Sequence, residues 1–278
     1  MKIDNIPILY INMDMDTGRK SRLLKNMEKL GLKDNAYRIA GVNGRKLKNI
    51  TYRNKVSNEL ELGSDKLKPE YWLSRKNFRA LSRDADVILP RVGCLLSHYK
   101  AIKMAYYANL NNVLILEDDA MLLKTITKEF SVPSDADILY FGGTFSHESK
   151  KTNLSNSPVV KINNDNLKLY GTFGYYIPSR EKIKDMYNVF HATFLDGPAK
   201  LKPDNWRSGK VRLMGQNSDR VLINFFQKYG NSYFLNPVRV YHLEEEQSNL
   251  GNKKYSKRFG MKFHYNDSQL SEIEKNMV

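Results

Sequence analysis

The sequence predicts an α/β fold in which a mostly parallel central sheet carries helices on both faces. Short apolar runs of β type alternate along the chain with segments whose apolar residues recur at helical spacing, and alternation in that order gives a parallel sheet with crossover helices. The boundaries carry turn and cap residues in the right places. No internal repeat or low-complexity segment points to a solenoid or a linker array.

Ile6 to Asn12 (IPILYIN) reads as the first strand, and Leu23, Leu24, Met27 and Leu30 form the apolar stripe of a helix that stops at Gly31. Tyr37 to Val42 (YRIAGV) reads as a second strand closed by the turn dipeptide Asn43-Gly44. From Arg45 to Arg91 the pattern is broken and basic, which predicts a long excursion from the compact fold. Leu95, Leu96, Tyr99, Ile102, Met104 and Tyr106 then space a helix, and Val113 to Leu116 a buried strand. Ile138 to Phe141 is a further strand, and Tyr175 to Ile177 precedes a helix from Arg180 to Phe190. The last helix is expected from Asp219 to Tyr229, with Ser218 as N-cap and Gly230 as stop, followed by an extended run from Tyr233 to Tyr241.

Of 278 residues, 41% are hydrophobic, and 45 Lys+Arg against 30 Asp+Glu give a formal charge of +15. That length and composition describe a globular protein of one large domain or two small ones. The reading is a main domain over 1–242 and a basic extension over 243–278. A membrane span needs about 20 mostly apolar residues, and the runs at Ile8 to Ile11 and Val113 to Leu116 are far shorter. The N-terminus lacks the apolar core of a secretory signal, and the single cysteine, Cys94, excludes an internal disulfide. The expected location is therefore the cytoplasm.

The positive charge draws anions without specifying which. Residues 45–91 hold twelve Lys/Arg and six Asp/Glu, whereas Lys253, Lys254, Lys257, Arg258 and Lys262 form a stretch without acids. Three readings stand for that stretch: a solvated tail, a lid over a diphosphate, or a peripheral contact with an anionic membrane.

The chemistry concentrates in LILEDDA, residues 114 to 120, where Glu117, Asp118 and Asp119 follow a buried strand directly. In open α/β sheets ligands bind beyond the carboxyl ends of the strands. Three adjacent acids repel one another, and a divalent cation, Mn²⁺ or Mg²⁺, would relieve that repulsion while keeping water and phosphate in its shell. A solvated acidic turn is the competing reading. Cys94 and His98, at i and i+4 of a helix, offer two soft-metal ligands, too few for a site, so a packed thiol and a hydrogen-bonded imidazole are expected. Gly171 and Gly174 fit either substrate approach to the backbone or tight packing.

Taken together, ILYINM near the start, RIAGVNG at 38–44, VGCLLSHYKAI at 92–102, VLILEDDA at 113–120 and YGTFGYYIPS at 170–179 resemble the family 25 glycosyltransferases, over roughly Ile6 to His242. The resemblance implies a GT-A nucleotide-sugar-binding fold, a UDP-sugar donor, a glycan or protein acceptor, a divalent cation and inversion at the anomeric carbon. It assigns Glu117 and Asp119 to ribose and metal, Asp118 to support or alternative ligation, Asn12 to the nucleoside, and Arg19 to a recurrent family arginine. The chain departs from the family pattern at Met15, Asp16 and Gly18, and again at Arg91-Val92. His242 is expected as a C-terminal metal ligand or as a plain surface histidine. Inverting transfer needs a carboxylate to take the acceptor proton, and Asp219 is the candidate, although an aspartate in a first helical turn also serves the helix dipole. A basic metal-dependent nucleic-acid-processing protein is the alternative of a different class. It lacks support from further acids, a lysine in register, or an aromatic-basic signature, so no specific nucleic acid is expected. An inactive sugar-binding protein keeping the same fold is the third reading.

Overall fold

The computed structural model describes residues 1–45, 75–145, 157–162, 167–171, 173–192, 218–242 and 275–276. The expected excursion falls outside the described residues over 46–74, as does the whole basic stretch 253–262.

The strands are β1 (Ile8–Asn12), β2 (Ala36–Ala40), β3 (Val113–Glu117), β4 (Ala120–Leu122), β5 (Ile138–Tyr140), β6 (Thr144–Phe145), β7 (Val159–Lys161), β8 (Leu169–Tyr170), β9 (Gly174–Ile177), β10 (Ser232–Leu235) and β11 (Val240–His242). The α-helices are α1 (Thr17–Lys29), α2 (Arg75–Tyr107), α3 (Arg180–Ala192) and α4 (Ser218–Leu222). Seven strands form the central sheet in the order β2-β1-β3-β9-β5-β10-β7, while β4 pairs with β11 and β6 with β8. β1 lies parallel to both β2 and β3, and β10 parallel to β5. β9 runs against β3 and β5, and β7 against β10. Five of the seven strands thus share one direction, and β9 and β7 make the sheet mixed.

Strand periodicity of two builds two cores. Leu9, Ile11, Val113, Ile115, Ile138, Tyr140, Tyr175 and Ile177 face Leu95, Tyr99, Ile102, Ile183, Phe190 and Val221 from α2, α3 and α4. Their neighbours Ile8, Tyr10, Leu114, Leu116, Leu139 and Tyr176 face Leu23 and Met27 of α1 on the other side. Helices therefore cover both faces. Leu114 and Ile115 are fully buried on opposite faces of one strand, each contributing about 1.5–3 kcal/mol by transfer out of water.

α1 ends as the sequence indicates. Gly31 has φ +70°, its N–H bonds the carbonyl of Glu28, and the Leu32 N–H bonds that of Met27, the double closure of a Schellman cap. α2 differs from expectation. Its helix begins at Arg75 rather than near Leu95, and Pro90 lies inside it. Proline removes one helical donor and discourages a helical reading, but the long buried stripe after it holds the helix together. The final helix widens after Leu222 into a π segment, Ile223–Gln227, and Ser218 is its first helical residue rather than a cap outside it. Gly230 does follow it, for a reason of space: a Cβ there would meet Asp137 Oδ2 at 2.6 Å. The extended run over 233–241 is two strands in different sheets, divided by the cis Asn236-Pro237 bond.

Candidate active site

Asn12 closes β1 and Glu117 closes β3, so the carboxyl ends of two neighbouring parallel strands meet where the acids begin. The end of β3 and the turn after it then divide the three acids. Glu117 continues the face of Val113 and Ile115, toward α2, whereas Asp118 turns to the face of α1. Each acid meets protein partners, which relieves the mutual repulsion expected from their adjacency.

On the α1 side, Asn12 Nδ2 donates to Asp118 Oδ2 at 2.8 Å and Arg19 Nη1 donates to Asp118 Oδ1 at 3.2 Å. The same Nη1 lies 3.3 Å from Asp119 Oδ2, and His242 Nε2 lies 3.1 Å from that oxygen. Asn12 is itself oriented by Arg38 of β2, whose Nε donates to Asn12 Oδ1 and whose Nη2 donates to the Asn12 carbonyl, both at 3.0 Å. His242 reaches Asp119 because β11 pairs antiparallel with β4, placing His242 opposite Ala120. Gly142 seats this ribbon, since a Cβ there would overlap the carbonyl oxygen of Val240.

Burial pushes Asp118 up to about 6, with the Asp119 charge adding to it and the Asn12 and Arg19 contacts opposing it. Burial also acts to raise Asp119, yet the hydrogen bond and charge of His242, with Arg19, hold it below the ordinary carboxylate range. Reciprocally, burial acts to lower His242 and Asp119 more than offsets it, so the imidazole is more basic than usual. Asp119 is 8% exposed, and its Oδ1 is buried without a hydrogen-bond partner among the described residues. A buried carboxylate oxygen left in that state is costly unless a donor or cation meets it, so Asp119 fits a metal ion.

On the α2 side, His98 is buried between two partners, with Nδ1 3.0 Å from Tyr175 Oη and Nε2 3.2 Å from Glu117 Oε1. Cys94, one turn earlier, lies 3.3 Å from Ser218 Oγ. Burial pushes its thiol up, and Glu117, Asp219 and Asp119 push it further against the opposing Ser218 contact. The helix is locked here by two small residues. Ser97 Oγ accepts the Val42 N–H at 2.8 Å and donates to the Gly93 carbonyl at 2.7 Å. A Cβ on Gly93 would meet the backbone of Val42 and Gly44 within 3 Å, so only glycine allows this approach.

Asp219 stands in the first turn of α4, where its Oδ1 accepts the Gly171 N–H at 3.2 Å. Gly171 has φ +93° and a Cβ there would strike the Phe173 ring. A Cβ on Gly174 would press on Val240, so close packing accounts for both glycines. Gln227 clamps the preceding residue pair, donating to the Leu169 carbonyl at 2.7 Å and accepting its N–H at 3.1 Å.

The family model for glycosyltransferase family 25, described as an LPS biosynthesis protein, matches residues 5–195. The chain belongs to glycosyltransferase family 25. Membership makes it a glycosyltransferase, with a sugar donor and a glycan acceptor. The α/β architecture of the family 25 chain is compatible with that assignment, and the match contains Asn12 and Glu117 at the ends of β1 and β3, Arg19 of α1, and the turn residues Asp118 and Asp119. Asp219 and His242 lie beyond the matched residues. No curated protein matches the sequence. No helix among the described residues is long and apolar enough to cross a membrane.

Of the residues singled out in the sequence, Asn12, Arg19, Asp118, Asp119 and His242 form one contact network in this family 25 enzyme. Glu117 is directed to His98 on the other face, and Asp219 to Gly171. Arg38, Tyr175 and Ser218 are site neighbours that sequence reasoning missed. Arg38 was visible only as a cation inside a strand next to the one ending in Asn12, a signal that needs the β1–β2 register to interpret.

Proposed function

We propose that this glycosyltransferase has a GT-A-type fold and moves a hexose, galactose or glucose, from a UDP-sugar to a hydroxyl of a glycan or protein acceptor, with inversion and with Mn²⁺ or Mg²⁺ bound. The observation that carries the metal is the buried Asp119 Oδ1 at the carboxyl edge of the sheet, which has no hydrogen-bond partner among the described residues. Asp119 would hold the ion with His242 as a further ligand, while Glu117, the other metal ligand expected from the sequence, is turned to His98 on the opposite face. When bound, the ion offsets the charge that develops on a departing diphosphate. Asn12 and Arg19 bind and orient the nucleotide from the α1 side. Asp219 takes the proton of the acceptor hydroxyl as the new glycosidic bond forms, on the face away from the diphosphate.

Arg19 and His242 support a second, metal-independent reading. Both already sit on Asp119 Oδ2, and two cationic groups at a diphosphate would stabilise the same charge without an ion. A panel of nucleotide sugars assayed for nucleotide diphosphate release, with Mn²⁺ and with EDTA, separates the possibilities. Calorimetry should show UDP binding more tightly with Mn²⁺ than with EDTA, and Asp119→Asn should remove most of the difference. Equal affinity and turnover in EDTA would leave the metal-independent route, and binding without release would mark an inactive sugar-binding protein.

A further inference from the structure

The α2 side of the site brings the first acid of the triplet, Glu117, together with two potential ligands of α2 that the proposed function does not use. One ligand atom each from Cys94, His98 and Glu117 lie within 4.8 Å of one another. The pair on the helix was too few by itself, and the fold supplies the third member from the end of β3. We propose that Cys94, His98 and Glu117 bind a single Zn²⁺-class cation, in a site distinct from the Asp119 corner.

Thiolate, imidazole and carboxylate together are the donor set that Zn²⁺ favours over Mg²⁺ or Mn²⁺. Zinc bonds of about 2.0–2.3 Å at tetrahedral angles separate ligand atoms by roughly 3.3–3.6 Å. His98 Nε2 and Glu117 Oε1 already stand at 3.2 Å, so a small closure of the thiol completes three corners and leaves the fourth to water. Two of the ligands are one turn apart on α2 and the third ends a buried strand, so the frame is rigid. Tyr175 Oη at 3.0 Å from His98 Nδ1 is the outer partner that a metal-bound imidazole needs: with Nε2 on the ion, Nδ1–H donates to the phenol oxygen. Binding releases the Cys94 proton to solvent. The carboxylates of Glu117, Asp219 and Asp119 all act on the thiol, giving a field that attracts a cation.

Cys94 is the sole cysteine of the sequence, which makes the test unambiguous. The full chain, stripped with chelator and free of nucleotide, is titrated with Co²⁺ and then with Zn²⁺. One equivalent of Co²⁺ should give a sulfur-to-cobalt charge-transfer band, and Zn²⁺ should displace it. Cys94→Ser should abolish the band, His98→Gln should change or remove it, and Tyr175→Phe should weaken binding about 10–100-fold. Asp119→Asn should leave the band unaltered, whereas Mn²⁺-dependent UDP binding responds to Asp119→Asn, so the two sites fail independently. No thiolate band with Co²⁺ in excess overturns the proposal, as does a band unchanged in His98→Gln. The wild-type titration decides even if a variant does not fold.

Discussion

The two faces of β3 treat neighbouring carboxylates differently. On the α1 face, Asp118 and Asp119 are held by the guanidinium of Arg19, the amide of Asn12 and the imidazole of His242, groups from α1, β1 and β11. On the α2 face, Glu117 meets the buried His98 imidazole, and Asp219 accepts a backbone N–H from a glycine turn. One face gathers its acids around a guanidinium, an amide and an imidazole, and the other meets its acids with an imidazole and a backbone N–H. A run of three acids at a strand end is therefore two half-sites: Glu117, the last residue of β3, keeps the α2 face, and the turn that follows carries Asp118 and Asp119 together to the α1 side. Stability should depend chiefly on the first face and the chemistry of proton transfer on the second.

The largest effect expected from this contrast is on rate. Asp219→Asn keeps the size of the side chain and an oxygen for the Gly171 N–H, so folding and UDP binding should survive while transfer falls about 10²–10⁴-fold. Near wild-type transfer, or a retained anomeric configuration in the product, would show that the base lies elsewhere.

Removing the cation of the α1 face should instead cost stability. Arg19→Met leaves two buried carboxylates with the His242 imidazole and the Asn12 amide but without the guanidinium they share, and breaking such a pair costs about 3–5 kcal/mol. Urea denaturation measures it, and a loss below about 1 kcal/mol would mean that the pairing contributes no more than an exposed ion pair does.

Acidity sharpens the same comparison. Asp118 is raised to about 6 and His242 is raised above its ordinary value, so both favour the folded state when protonated. Their contribution is lost as pH rises through the folded values. Asp119 is lowered, so its contribution is present above the ordinary carboxylate value and lost as pH falls through the folded one. Stability should thus rise from about pH 8 to about pH 5, by on the order of 1–3 kcal/mol, and fall below about pH 4. Asp118→Asn should flatten the upper limb. An identical pH slope in wild type and variant would contradict the burial of that carboxyl.

The smallest change is expected on the α2 face. Glu117→Gln retains an acceptor for the His98 ring, so unfolding free energy should move by about 1 kcal/mol or less. A larger loss in thermal or urea unfolding would transfer part of the stabilising role to this side.

Much of this frame was legible in the sequence because it rests on local signals. The β1, β3 and β5 runs, the Gly31 cap and the α3 stripe each follow from residues close in the chain. What stayed hidden depends on contacts between distant residues. Pro90 masked the first part of α2, and β4 and β7 are three residues long, too short for a periodic pattern. The three acids were visible, but their division was not, since which face each takes depends on the exact end of β3. Arg19 as their shared counter-charge, 99 and 100 residues away from Asp118 and Asp119, could be read only from the assembled sheet.

The pairing of β4 with β11 also orders events in time. Asp119 is synthesised 123 residues before the histidine that meets it. A chain still on the ribosome can lay down β1, β2 and β3, yet the carboxylate keeps a gap on one side until the β11 ribbon arrives and seats over Gly142. Closing so long a loop is slow compared with forming the helices. The Asp119 corner is therefore completed only once the strands after Asn231 are made, β10 within the central sheet and β11 over Gly142.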